Sequence, residues 1–336
     1  MTVFLKGLER WGRRRAAILL SGGLPGRNEP LPEDPARILV IRTDSRLGNL
    51  VLLEPLLRSL RTRFPRARLE ILASHVFAEV LKSQGYSVIS VDKKGQIRNP
   101  SRFVQLLRRL RESSFDVAMD AAHPHSFSLS GAVSACLSGA ACRLSTDAGE
   151  SSGWYSATVP EPPMDWHESR ALHSLGSLWK GWPEWSPPVF TAGNSPARDA
   201  VGIHVGAAGN KKYPPGKMAE LLEELCRSAM IEVYWGSEEE RETAMDLGRR
   251  FPVAVMPELT LTRLMEKLAG LRLFVTADNG PMHLASALSV PVVALFRIDN
   301  RNRFAPLSPG SEALFSPEGP SPSVVAGRVL RALGRY

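Results

Sequence analysis

Apolar residues in this chain fall into short unbroken runs, separated by longer stretches in which an apolar residue recurs every three or four positions. A short run bounded by polar residues reads as a strand buried on both faces of a parallel sheet, and the longer spacing reads as an amphipathic helix. Ile38-Leu39-Val40-Ile41 is the first such run, followed by a polar loop and a helix over 50–63 that Pro65 ends. Strands are expected at 69–73, 87–91 and 116–119, with helices over 76–84 and 102–112 between them. From about 154 to 196 the rhythm gives way to Trp- and Pro-rich sequence, including Pro160, Pro162, Pro163, Pro183, Pro187 and Pro188. It then restarts, with strands at 201–205, 231–235, 253–256, 273–276 and 292–296 and helices over 217–229, 238–250, 261–269 and 282–288.

Strands that alternate with helices make βαβ units and therefore parallel sheets. The expected fold class is α/β: two facing Rossmann-like, doubly wound parallel-sheet domains with a cleft between them, over 36–195 and 196–336. Ligands in such sheets bind beyond the carboxyl ends of the strands, so the loops after Ile41, Met119, Val205, Trp235 and Thr276 are where chemistry belongs.

Composition narrows this picture. A chain of 336 residues, 43% of them hydrophobic, suffices for two cores of ordinary size. Cys136, Cys142 and Cys226 lie in apolar or helical stretches without metal-ligand spacing and cannot all pair, which points to a reducing compartment. The net charge of +8 calls for an anionic partner without choosing among nucleic acid, lipid and phosphorylated substrate. No apolar run approaches the roughly 20 residues that span a bilayer. In the segment 1–35, residues 1–20 set Phe4, Leu8 and Trp11 at helical spacing among Lys6, Arg10, Arg13, Arg14 and Arg15, the pattern of an interfacial helix on an anionic membrane. The other reading is a solvated tail, or a helix packed on the body. A linker rich in Gly and Pro follows over 22–35.

Four strand-end segments carry candidate chemistry. In Thr276-Ala277-Asp278-Asn279-Gly280-Pro281-Met282-His283, a strand end, a small turn and a helix opening at proline aim free N–H groups at a diphosphate, with the His283 imidazole in reach of a phosphate oxygen. The plainer alternative is that Asp278 caps the helix and His283 lies on the surface. Small residues from Gly206 to Gly209 would let the backbone approach a phosphate, and Lys211 supplies a point charge for the diphosphate. In Trp235-Gly236-Ser237-Glu238-Glu239-Glu240, a carboxylate such as that of Glu239 could accept from ribose hydroxyls, or the acids could simply favour the start of a helix. In Arg42-Thr43-Asp44-Ser45-Arg46-Leu47-Gly48-Asn49, Arg42 or Arg46 could meet acceptor phosphates and Asp44 could act as a base or only cap the turn.

Together these segments resemble the ADP-heptose lipopolysaccharide heptosyltransferase family, glycosyltransferase family 9, whose architecture is GT-B. The resemblance runs from Arg37 to about Gly310. Asp278 to Leu288 looks like the family's Asp-Ser/Thr-Gly-x-x-His-x-x-Ala-Ala donor motif, Lys211 with Tyr213-Pro214 like its Lys-x-Trp-Pro element, and Leu47-Gly48-Asn49 up to Pro55 like its Ile-Gly-Asp loop. Glu238 to Glu240 fall where the family often has a carboxylate near the nucleoside. The resemblance implies an ADP-linked heptose as donor, a lipid-linked core saccharide as acceptor at the cytoplasmic face of the inner membrane, and inverting transfer with neither metal nor other cofactor. It assigns Gly206, Lys211, Glu239, Asp278, Asn279, Gly280 and His283 to the donor.

The sequence departs from the family where the base should be. Asn49 stands in place of the aspartate of Ile-Gly-Asp, and an amide cannot take up the acceptor's proton. Asp44 is the first substitute, with Lys211 stabilising the leaving group; His123 and His125 are weaker candidates for the base or contacts for acceptor phosphate. The alternative is a nucleotide-sugar-binding homologue of weakened or lost activity. A nucleotide-sugar epimerase is a third reading, and a nucleic-acid binder a fourth that no recognisable module supports.

Overall fold

The computed structural model describes residues 29–92, 99–147, 153–193 and 195–335. The basic segment expected over 1–20, and the linker up to residue 28, lie outside the described residues. Two units divide the chain: Met1–Ser45 with Pro55–Trp185, and Arg46–Glu54 with Ser186–Tyr336. The second unit thus begins ahead of the boundary expected between 195 and 196, and it takes in Arg46–Glu54, which periodicity alone assigns to the first domain.

That exchange has a local cause. The helix expected over 50–63 is two helices, α1 (Leu47–Val51) and α2 (Glu54–Arg63). Pro55 has no N–H to give to the Val51 carbonyl four residues back, so the chain turns at Leu52 and Leu53 and restarts.

The first unit is a six-stranded parallel sheet in the order β3-β2-β1-β4-β5-β6. Its strands are β1 (Arg37–Arg42), β2 (Arg68–Ser74), β3 (Ser87–Val91), β4 (Val117–Asp120), β5 (Cys142–Thr146) and β6 (Ala157–Val159). Four further helices follow α2: α3 (Ala78–Ser83), α4 (Pro100–Glu112), α5 (Leu129–Leu137) and α6 (Glu168–His173). Ile38 to Ile41 are wholly buried, as the unbroken run requires. The apolar pattern misses β5 because Arg143, Ser145 and Thr146 are polar and nonetheless buried; Arg143 Nε donates to the Trp154 carbonyl at 2.7 Å.

The second unit repeats the plan in the order β12-β11-β10-β7-β8-β9, with every pairing parallel. It contains β7 (Ala200–His204), β8 (Met230–Tyr234), β9 (Ala254–Val255), β10 (Leu273–Ala277), β11 (Val292–Phe296) and β12 (Glu312–Phe315). Its helices besides α1 are α7 (Pro215–Leu225), α8 (Glu238–Arg250), α9 (Leu261–Ala269), α10 (Gly280–Ala287), α11 (Arg301–Phe304) and α12 (Pro322–Ala332). One face of this sheet buries Val201, Ile203, Val275 and Leu295 against Leu221, Leu225, Val325 and Val329 of α7 and α12. In each sheet the first and fourth strands are neighbours from which the chain winds off in opposite directions. This is the switch point at which doubly wound sheets hold their ligands.

Candidate active site

At the switch point of the second unit, β7 and β10 end side by side, with Thr276 opposite His204. The loop after β7 carries Lys211, whose Nζ lies 2.5 Å from Asp278 Oδ2 just beyond β10; Asn300 Nδ2 donates to the same oxygen at 3.2 Å. Asp278 therefore serves these two donors, and the helix is capped by its neighbour. Asn279 Oδ1 accepts from Met282 N at 3.0 Å at the start of α10. Its amide N–H groups are shared among Gly206 O at 2.7 Å, Thr276 Oγ1 at 2.8 Å and His204 Nδ1 at 3.2 Å. One asparagine thus fixes both the helix start and the glycine loop.

His204 is the buried partner of that loop. Its Nδ1 receives Gly206 N–H at 3.0 Å as well as the Asn279 amide, which sets the neutral ring with its proton on Nε2. Burial holds its pKa below the ordinary value against the upward pull of the Glu240 carboxylate. A Cβ on Gly206 would stand 1.9 Å from the Glu240 carboxyl carbon, so glycine is required there for the carboxylate to lie over the loop. Glu240 also accepts Gly236 N–H at 2.7 Å. Glu239, the acid singled out from the sequence, turns outward, its side chain 82% exposed and 3.0 Å from Lys212 Nζ. Ser237 caps α8 by accepting from Glu240 N, so the Ser-x-x-Glu pattern was the available signal that Glu240 is the acid reaching back to the loop.

His283 is buried, not on the surface. Its ring meets Phe304 edge to face at 6.2 Å between centroids, and a Cβ on Gly48 would come within 2.7 Å of its Cδ2. Gly280 likewise admits α1, since a Cβ there would lie 2.8 Å from Leu47 Cβ and 3.3 Å from Gly48 N. The two glycines let α1 rest on the start of α10, which brings half-buried Asn49 into the second unit, with exposed Arg46 just ahead of α1. Phe304 also has Lys211 Nζ at 5.9 Å from its ring centre. Asn300, which precedes α11, and Phe304, its last residue, therefore line the candidate site and were missed by the sequence reading. A cavity of about 560 Å³ opens at the ends of β8 and β9, lined by Trp235, Met245, Val255, Met256 and Glu258 among others. Trp235 Nε1 donates to Met256 O at 2.7 Å and holds that wall.

The first unit treats its switch point differently. Arg42 is 2% exposed; its Nε pairs with Asp44 Oδ2 at 2.6 Å and its Nη1 donates to the Ala121 carbonyl. The guanidinium expected to meet an acceptor phosphate is thus directed into the unit, while Asp44 stays one-third exposed. Asp120, absent from the sequence reading, accepts from Tyr155 OH at 2.5 Å and from Ala122 N at 3.0 Å. Burial pushes its carboxyl up to about 6, against the lowering pull of Tyr155, Ala122 and the Arg42 charge. Burial and the neighbouring Asp120 charge keep the Tyr155 hydroxyl protonated. In the loop beyond Asp120, His123 is exposed, whereas the His125 side chain is 4% exposed with Nδ1 3.5 Å from Glu161 Oε1.

Residues 186–333 match the model of glycosyltransferase family 9 (heptosyltransferase). A lipopolysaccharide heptosyltransferase 1 of Pseudomonas aeruginosa is 41% identical over 88 residues, 26% of this chain and 25% of that protein, so the match spans about a quarter of the curated relative's length. The E. coli heptosyltransferase WaaC solved with ADP superposes with a TM-score of 0.77 at 17% identity, covering 88% of this chain and 99% of that one. A family 9 glycosyl transferase from Veillonella parvula superposes with a TM-score of 0.78 at 16% identity, covering 92% of this chain and all of that one. This chain has the two-domain GT-B fold of the solved heptosyltransferases, and its residues 186–333 match glycosyltransferase family 9.

Proposed function

We propose that the protein is a heptosyltransferase that moves a heptose from an ADP-linked donor to a lipopolysaccharide-core acceptor with inversion at the anomeric carbon. The observation that carries this reading is the Lys211–Asp278 pair, which holds a cation beside the start of α10 at the switch point of a family 9 domain. A diphosphate entering there would share the Lys211 ammonium and meet the N–H groups of the glycine loop and helix start. Glu240 supplies acceptor oxygens for ribose hydroxyls, and the cavity beside Trp235 and Met256 suits the flat base. The leaving diphosphate gains negative charge as the glycosidic bond breaks, and a fixed ammonium stabilises that charge more than the ground state. On this reading Lys211 supplies the electrostatic assistance and no divalent cation is needed, so activity should survive chelation.

The acceptor hydroxyl must lose its proton, and Asn49 cannot take it. Asp44 is the proposed base, held by Arg42 in a fixed orientation and open enough to reach a ligand. Arg46, His123 and His125 are proposed to contact the acceptor, and residues 1–20 to hold the protein at the cytoplasmic face of an anionic membrane. Asn49 also favours a second reading, a homologue that binds the nucleotide sugar without turnover.

Calorimetric titration with ADP, UDP and GDP, on wild type and on Lys211→Ala and His283→Ala, tests the donor site. Selective binding of ADP that weakens in both variants is expected. No binding of any nucleotide would sink the reading. ADP binding without transfer from ADP-heptose to a lipid-linked core acceptor would decide for the second reading.

A further inference from the structure

We propose that α4 of the first unit is a docking surface for an anionic lipid bilayer. Five successive residues at its start, Ser101 to Gln105, are exposed, and among them Phe103 and Val104 leave 41% and 54% of their surfaces in solvent. The helix is anchored through its second half. Leu110 is buried with Ile89, Val91 and Phe115, and Leu106 packs on that cluster. At 100° per residue, Phe103, Leu107, Arg111, Val104 and Arg108 follow one another around one side of the helix, with Phe103 next to Leu110 at the margin of the buried side, so apolar and basic side chains alternate across it.

A further exposed apolar side chain follows β2, the neighbour of the edge strand β3. Val76, 51% exposed, sits in the 3-10 turn that follows β2, and His75 Nδ1 in that turn lies 3.4 Å from the Val91 carbonyl at the end of β3. The charge fits one class of partner. The helix carries four arginines against the single acid Glu112, and among the described residues no carboxylate comes within 4 Å of Arg102, Arg108 or Arg111. Exposed aromatic and aliphatic side chains interleaved with unopposed arginines bind where hydrocarbon lies beneath a layer of negative charge. The arginine stems can lie along the apolar layer while their heads meet phosphate. Single-stranded RNA would also attract arginine and phenylalanine, but Val104, Leu107 and Val76 offer its bases no stacking surface. This contact is separate from any made by residues 1–20, and it does not depend on the donor chemistry.

The test is co-sedimentation of the full chain with phosphatidylcholine vesicles, with and without phosphatidylglycerol. Three further proteins are compared: the double variant Phe103→Asp/Val104→Asp, the double variant Arg108→Glu/Arg111→Glu, and a chain lacking residues 1–28. All the substituted positions are exposed, and an unchanged melting midpoint verifies that each variant folds. Wild type should bind only vesicles containing phosphatidylglycerol, each double variant should bind at least tenfold more weakly, and the truncated chain should keep measurable binding. Wild-type affinity in both double variants would overturn the proposal. So would binding lost only on removal of residues 1–28, binding indifferent to phosphatidylglycerol, or capture of single-stranded RNA by the same residues without capture of vesicles.

Discussion

The two sheets share one strand order, yet their switch points are built for different ends. In the second unit the charged pair Lys211–Asp278 is part-exposed, and around it Asn279, His204 and Gly206 hold a loop of small residues open. In the first unit the corresponding strand ends are filled from within: Arg42 is committed to Asp44 and Ala121, and Asp120 to Tyr155 and Ala122. A topological position that favours ligand binding does not make a site unless its polar groups are left something to bind. The contrast predicts that substitutions at the second switch point change ligand affinity and turnover, and that those around Asp120 in the first, apart from the part-exposed Asp44, change stability.

The largest effect should come from Lys211→Ala. Removing a fixed charge from beside a departing diphosphate costs about 3–4 kcal/mol of transition-state stabilisation, or two to three orders of magnitude in kcat. Steady-state transfer kinetics, with a melting curve as control, measure it. A rate within tenfold of wild type would mean that Lys211 only holds Asp278.

Asp120 should give the next largest effect, and its sign is diagnostic. Its folded value of about 6 lies above the ordinary 3.8, so its contribution to stability is complete below about pH 4 and is lost as pH rises through about 6. The full swing is roughly 3 kcal/mol. His173, 2.9 Å from Ser59 Oγ, works the other way: burial and the Arg58 charge lower it from 6.5 to about 4, so its contribution is lost as pH falls through that window. The two slopes oppose one another in wild type. Chemical denaturation between pH 4 and 7 should show Asp120→Asn gaining stability relative to wild type as pH rises, and His173→Gln gaining it as pH falls. A constant difference across the range for Asp120→Asn would show that the carboxyl titrates normally.

Gly131→Ala should cost about 2 kcal/mol of stability and leave nucleotide affinity unchanged. A Cβ at Gly131 would stand 2.1 Å from Asp120 Oδ2, and that carboxylate is pinned by Tyr155 and Ala122, so it cannot swing aside without breaking a hydrogen bond. Loss of ADP binding in a variant that still melts cooperatively would break the division of labour drawn between the two switch points.

How much of this was legible in the sequence follows from the range over which each interaction acts. Buried parallel strands announce themselves as apolar runs, and β3 and β11 begin and end where the pattern puts them. So do α8 and α9, which Ser237 and Thr260 cap. The geometry of the segment proposed to bind the donor was legible because a cap, a small turn and a helix start are consecutive residues. What stayed hidden depends on partners far apart in the chain. Nothing near Asp120 reveals that Tyr155 will cover it, and nothing near Arg42 reveals that Ala121 will accept its N–H. The identity of the inward-turning acid was a matter of helix phase, set by Ser237. Pro55 was visible, but reading it as a simple end to α1 required knowing that α1 packs on the start of α10 through Gly48 and Gly280.

Asn300 should give the smallest effect and the finest discrimination. Its Nδ2 donates to Asp278 Oδ2, the oxygen that also receives Lys211, while its Oδ1 is buried with no hydrogen-bond partner among the described residues. Losing one hydrogen bond to a charged group that keeps another costs about 1 kcal/mol, so Asn300→Ala should weaken ADP binding about fivefold. Tyr155→Phe is its counterpart in the first unit: it removes the donor to Asp120 and should lower stability by a similar amount, with calorimetric ADP affinity unaltered. If both substitutions lower stability alone, Asn300 is an internal brace like Tyr155, and the open character of the second switch point rests on Lys211 and the glycine loop. If Asn300→Ala lowers affinity and Tyr155→Phe does not, the difference between the units extends to the second layer of residues, where one carboxylate is held ready for a ligand and the other is held closed.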